Sequence, residues 1–253
     1  MSTNSKLSDK SREFIEDLRV YLFSSGKRWD EIDEIGEELE SHLSEAEREG
    51  KSVEKIIGNS PKAYMQSIAG EMAIDYRSWI KYIFIIIFGS FSFTVARDLV
   101  EGSLAYSVLE IAGHVVIGVL FIATLFVAFR YISGENLSSI KQMLIISIPG
   151  VLPIALFVGL IYLNRIVDTP VIHFRFWGTV ILALITLIFL IAVSIWAKTW
   201  VAIILITLST LPDYLLGLTA LQEETQLIWS TIILLGGFGL YFWILMKLEK
   251  KEG

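Results

Sequence analysis

A chain of 253 residues with 54% hydrophobic residues and a mean hydropathy of +0.61 is too apolar for an ordinary soluble domain. It contains no cysteine, which excludes disulfide frameworks, thiolate zinc sites and cysteine nucleophiles. A net charge of −6, a pI near 5.2 and the lack of a basic patch argue against direct nucleic-acid binding.

The charge is unevenly placed. Residues 1–78 hold 11 Lys/Arg against 17 Asp/Glu and carry the whole net charge, whereas residues 79–253 hold 10 of each. Two materials join near Trp79, so the chain divides into an acidic helical domain over 1–78 and a transmembrane domain over 79–253. The first 70 residues are polar, so no cleavable secretory signal is expected and the first span directs insertion.

Three helical patterns are legible in the acidic domain. The first opens on Ser8 as N-cap, puts Phe14, Ile15, Leu18, Tyr21 and Leu22 on one face, and ends at Gly26. The second runs from Trp29 to about Glu49, with Ile32, Ile35, Leu39, Leu43 and Ala46 repeating every three or four residues. Its polar face is strongly acidic: ten Asp/Glu lie between Asp30 and Glu49 against Arg48 alone. The third opens on Ser60 and Pro61, carries Tyr64, Met65, Ile68 and Met72, and is expected to lead almost directly into the membrane. So small a domain, with carboxylates crowded on one helix, is expected to be marginally stable alone and to seek a basic surface through Glu34, Glu37, Glu38 and Glu45. Glu38, His42 and Glu45 share a helix face as a weak metal or proton-sensing site would, but a solvated acidic face explains them more simply, and no metal or cofactor is expected.

Six later stretches approach the 20 or so apolar residues needed to cross a bilayer: 79–95, 109–129, 143–163, 176–196, 200–218 and 227–246. Their apolar runs are continuous, which excludes β-barrel strands. The expected fold is therefore all-α, a six-helix transmembrane bundle behind a three-helix domain. Trp79, Trp177, Trp196, Trp200, Trp229 and Trp243 fall near span ends, where indoles favour the headgroup region. With the N-terminus inside, Arg77, Lys81, Arg130, Lys141, Lys198, Lys247, Lys250 and Lys251 are cytoplasmic and only Arg97, Arg165 and Arg175 are outside, so both termini are expected in the cytoplasm. Pro149 and Pro153 are expected to bend the third span, residues 197–199 to close a tight hairpin, and Gly236, Gly237 and Gly239 to allow close helix approach.

The segments FIEDLRVYL, IGEELESHLSEAEREGKSVEKIIGNSP and KAYMQSIAGEM resemble the HAAS-type signalling domain and the related permease prefix domains, small helical modules at the N-termini of bacterial membrane proteins. The resemblance covers about residues 11–72. It implies a cytoplasmic regulatory or sensing role, often beside PadR-type transcription regulators or export systems, and it does not imply catalysis.

Charges near hydrocarbon cost about 2.5–3.5 kcal/mol on insertion scales unless paired or solvated, so those near the spans are the candidate functional residues. Arg97, Asp98, Glu110, His114, Arg165, Asp168 and Asp213 all fall toward one side of the expected topology and could form an outward-facing polar pocket; the simpler reading is span-end residues meeting water. The pair Glu223 and Glu224 is similar to the glutamates of intramembrane CAAX-type proteases, but Ile228 stands where the family has arginine. No HExxH, GxSxG, P-loop or GxGxxG occurs, and catalysis is not expected. The function that fits is a membrane sensor or accessory protein that couples the bundle to a cytoplasmic partner; the alternative is a small transporter or permease subunit. Expected partners are membrane lipid, a cytoplasmic or membrane protein, and a second copy of the chain.

Overall fold

The structure is a computed structural model that describes residues 7–58, 60–102 and 104–252, leaving out the side chains of Glu54, Glu101 and residues 248–252. The expected anchors Lys250 and Lys251 therefore lie outside the described side chains. Among the described residues the chain forms ten helices and one two-stranded ribbon. The chain falls into two compact units: residues up to Phe84 with Val115–Leu163, and Ile85–His114 with the residues from Asn164 onward.

The first unit begins with α1 (Asp9–Ser24), α2 (Trp29–Arg48), the single turn α3 (Glu54–Ile57) and α4 (Pro61–Glu71). Ser8 caps α1 by accepting the Ser11 N–H, and Ser60 caps α4 by accepting that of Ala63. Phe14, Ile15, Leu18, Tyr21 and Leu22 of α1 meet Ile32, Leu39 and Leu43 of α2 and Met65 of α4 in one core. Leu18, Leu22, Ile32 and Leu43 are fully buried, each contributing roughly 1.5–3 kcal/mol of transfer free energy. The Ser8 and Ser11 hydroxyls both donate to Glu47, which ties the start of α1 to the end of α2.

The third helix does not run on into the membrane. α4 stops at Glu71, residues 72–75 are non-helical, and α5 (Tyr76–Glu101) begins anew. Local hydrogen bonds explain the break: Lys27 Nζ donates to the Met72 carbonyl at 2.7 Å, the Asp75 N–H donates to the Gly26 carbonyl at 2.8 Å, and the Asp75 carboxylate caps α5 by accepting the Ser78 N–H. Gly26 has φ +78°, and a Cβ there would stand 2.5 Å from Trp79 Nε1, so both the turn and the close approach require glycine.

Among the described residues five helices are long and apolar enough to cross a membrane: those over Tyr76–Val100, Val108–Gly134 (α6), Ser139–Ile166 (α7), Phe176–Trp196 (α8) and Glu223–Lys247, the last lying within α10 (Glu223–Glu252). Their faces carry exposed residues such as Ile154, Ile188 and Leu235, as lipid-facing helices do, and the chain is a multi-pass membrane protein. The sixth apolar stretch forms α9 (Val201–Gly217), of 17 residues. α7 is one helix with Pro149 and Pro153 inside it.

In the second unit, Lys198 takes a left-handed φ of 52° between α8 and α9, closing the expected tight hairpin. Of the three glycines expected to allow close approach, Gly237 of α10 lies against Leu208 of α9, whereas Gly236 and Gly239 face open space. Sequence reading did not anticipate β1 (Ala105–Ser107) and β2 (Val171–His173), which pair antiparallel with Tyr106 opposite Ile172. The strands place Tyr106 in a small core with Val95 and Leu104, packed by Phe91, Leu99 and Phe174.

Candidate functional site

Two constellations stand out, one in each unit. In the first unit the helical N-terminal domain meets the end of α6 and the loop that follows it. Arg130, near the end of α6, lies over the Tyr21 ring with its guanidinium carbon 5.4 Å from the centroid, and its Nε is 3.4 Å from the Tyr21 hydroxyl oxygen. Lys62 of α4 forms an ion pair with Glu135, in the loop between α6 and α7. Phe126, one turn before Arg130, packs on Trp79 at a centroid distance of 4.2 Å and on Phe23 at 5.6 Å.

The i, i+4 spacing of Phe126 and Arg130 puts both on one face of α6. The contact thus combines an aromatic cluster, a cation over a ring and an ion pair, with Lys62 held above its ordinary range by Glu135. These residues were not recognised in the sequence as a site. The only local signal was a pair of opposite charges, Arg130 and Glu135, flanking a short turn.

The acidic face expected to receive a partner is present: Glu34, Glu37, Glu38 and Glu45 are all exposed on α2. Among the described residues no three His, Asp or Glu side chains are grouped to hold a metal ion. His42 and Glu45 instead border a surface hollow shared with Lys51 and Lys55.

In the second unit the expected polar pocket divides. His114 is buried, edge-on to Phe91 at 5.2 Å, with Nδ1 2.9 Å from the Glu110 carbonyl and Nε2 3.2 Å from Thr94 Oγ1. A carbonyl only accepts, so Nδ1 carries a proton, and Nε2 shares a hydrogen bond with the Thr94 hydroxyl. Asp98, one turn beyond Thr94, is within electrostatic reach of both Tyr106 and Glu110. Burial, and then the Asp98 carboxylate, push the Tyr106 phenol up. Ser107 caps α6 by accepting the Glu110 N–H and donates its hydroxyl to Asn164 at 2.5 Å.

Arg97 and Asp213 line a separate open cavity of about 680 Å³ with Thr210, Tyr214, Glu223 and Gln226. Arg165 and Asp168 are exposed and line neither this cavity nor the His114 cluster. Tyr106 and Ser107 were missed because two three-residue strands leave too little pattern to read, and Thr94 because an uncharged hydroxyl inside an apolar span gives no signal of its own.

No curated protein and no solved structure matches the chain. One family matches, over a little under half the chain: it begins within α5, takes in the His114 cluster, the ribbon, α6, α7 and α8, and ends within α9. The resemblance carried by residues 11–72 falls on the segment before it. Residues 93–208 match the HAAS transmembrane region, and this stretch of the chain is similar to a HAAS-type membrane domain.

Proposed function

We propose that the protein is a non-catalytic membrane regulator, in which the acidic helical domain reports the state of the membrane helices to a cytoplasmic or membrane protein partner. The observation that carries this reading is the contact of the N-terminal domain with α6 and the loop after it, through Tyr21 against Arg130 and Lys62 against Glu135. A domain held by such a junction responds to movement of the membrane helices, while Glu34, Glu37, Glu38 and Glu45 remain free for a basic partner surface. The similarity to a HAAS-type membrane domain supports a regulatory rather than a metabolic role.

In this reading α9 is a sixth span. At about 1.5 Å per residue its 17 residues are short for a hydrocarbon core of about 30 Å, but they lie at the lower end of the range for spanning helices. Six spans put both termini on one side, and the excess of Lys and Arg favours the cytoplasm. Reporter fusions at Asn136 and Lys250 should then read as cytoplasmic, and fusions at Gly102, Thr169 and Glu224 as external. An odd number of crossings would overturn this topology.

The second reading, a small transporter or permease subunit, is favoured by the cavity beside Arg97 and Asp213. Affinity capture with the full chain and with a Glu34, Glu37, Glu38, Glu45 to glutamine variant separates the two. A protein partner lost in the variant supports the regulator. Solute flux in proteoliposomes with no such partner overturns it.

A further inference from the structure

The cavity of about 680 Å³ in the second unit gathers residues from the C-terminal part of α5, the C-terminal part of α9 and the first turn of α10. Trp229, half exposed, follows Glu223 by fewer than two helical turns on α10, which sets this end of the helices at headgroup depth. The walls are of two kinds. Arg97, Asp213, Glu223 and Gln226 supply one cation, two carboxylates and an amide, whereas Val100, Leu218 and Leu227 are apolar. Leu218 and Leu227 are about 70% exposed, so the apolar side continues outward onto lipid-facing surface.

The geometry points to a site for the zwitterionic headgroup of a phosphatidylethanolamine: the phosphodiester against Arg97, the primary ammonium among Asp213, Glu223 and Gln226, and the acyl chains along Leu218 and Leu227. Guanidinium suits the phosphodiester because its planar donors match phosphate oxygens. The ammonium offers three N–H donors to acceptors that are otherwise costly to keep beside hydrocarbon. A quaternary choline has no N–H to donate, and a glycerol headgroup has no cation to balance two carboxylates. The site is therefore selective by headgroup rather than by charge alone. The inference concerns only the second unit and stands whether the protein regulates or transports.

The test uses the full chain in detergent, incubated with phosphatidylethanolamine, phosphatidylcholine or phosphatidylglycerol of identical acyl chains, with bound lipid counted by native mass spectrometry. Phosphatidylethanolamine should bind about tenfold or more tightly than either competitor, as expected when charge-assisted hydrogen bonds are lost. In Asp213→Asn and Glu223→Gln that preference should fall to within about twofold of parity, on the same scale. Equal binding of the three lipids to the wild-type protein, which needs no variant to fold, would overturn the proposal. Displacement of the lipid by free phosphoethanolamine at equal concentration would also overturn it, because the site would then take a soluble ligand without help from acyl chains.

Discussion

Arg130 covers the ring of Tyr21, a residue 109 positions earlier in the chain whose side chain is 1% exposed. The tyrosine belongs at once to the core of the N-terminal domain and to the junction with α6.

If this junction couples the two parts, its aromatic members should dominate. Phe126→Ala removes two ring pairs, each worth roughly 0.5–1.5 kcal/mol beyond area burial, and Arg130→Ala removes a cation–ring contact worth about 0.5–2 kcal/mol. Both should raise hydrogen exchange in α1 and α4 without affecting membrane insertion. Lys62→Glu should have a smaller effect, since the Lys62 and Glu135 side chains stay 43% and 38% exposed, and adding Glu135→Lys should reverse it. Unchanged exchange in all of these variants would show that the junction carries no coupling.

Gly26 and Gly50 form a matched pair. Both have a left-handed backbone, at φ +78° and +72°, but a Cβ at Gly50 meets open space while one at Gly26 collides with the Trp79 indole. Gly50→Ala should cost only the backbone penalty, about 1–2 kcal/mol. Gly26→Ala should cost more in urea unfolding of the N-terminal domain, and Trp79→Ala in the same chain should recover the difference. Equal losses at the two positions would show that the indole yields freely.

The helices of the N-terminal domain were legible because Phe14, Leu18 and Leu22, or Ile32, Leu39 and Leu43, repeat with the helical period and are bounded by Ser8, Gly26 and Gly50. Five of the six expected spans were legible from apolar length alone. What escaped was set by tertiary contact: Lys62 meets Glu135 across 73 residues, and Tyr106 joins a core only because Val171–His173 pairs with its strand. The break before α5 escaped for the same reason, because Gly26 and Lys27 supply the hydrogen bonds that hold residues 72–75 out of helix. The seven-residue polar pocket was read from a shared side of the membrane. That criterion does not fix which side chains converge, and Asp213 and His114 accordingly belong to different groups.

Two carboxyls should give the N-terminal domain opposite responses to pH. Burial, and then Glu13 and Glu16, push Asp17 up to about 6, against an ordinary value of about 4. The folded state therefore holds this proton more tightly, and stability should fall as pH rises from about 4 through 6. Glu47 lies below its ordinary range because the Ser11 and Ser8 hydroxyls and the Ser8 N–H donate to it. Its contribution is complete above its unfolded value of about 4.3 and is lost as pH falls through the lower folded value. Asp17→Asn should flatten the decline between about pH 4 and 6, and Glu47→Gln should reduce the acid-side loss, both read from urea midpoints of α1 exchange. A slope between those values that survives Asp17→Asn would assign it to another group.

The ribbon offers a covalent test, since the chain has no cysteine to interfere. The Phe174 N–H donates to the Leu104 carbonyl and the Val108 N–H to the Pro170 carbonyl, both at 2.9 Å, so those opposed residues are the hydrogen-bonded pairs of the antiparallel ladder. Alternation then makes Ala105 and His173 a non-hydrogen-bonded pair, in which Cα atoms approach to about 4.5 Å and side chains lie closest. That spacing is at the near edge of the disulfide range of about 4.4–6.8 Å. Ala105→Cys with His173→Cys should therefore cross-link in mild oxidant. Displacing the second cysteine by one residue, to Ile172, turns it to the opposite face of the ribbon and should abolish the bond. The bond would also fix the loop after α5 and the loop after α7 on the same side of the membrane, as an even number of crossings by α6 and α7 requires. Efficient cross-linking of Ala105→Cys with Ile172→Cys, but not with His173→Cys, would show a register shifted by one residue and move Tyr106 out of its core.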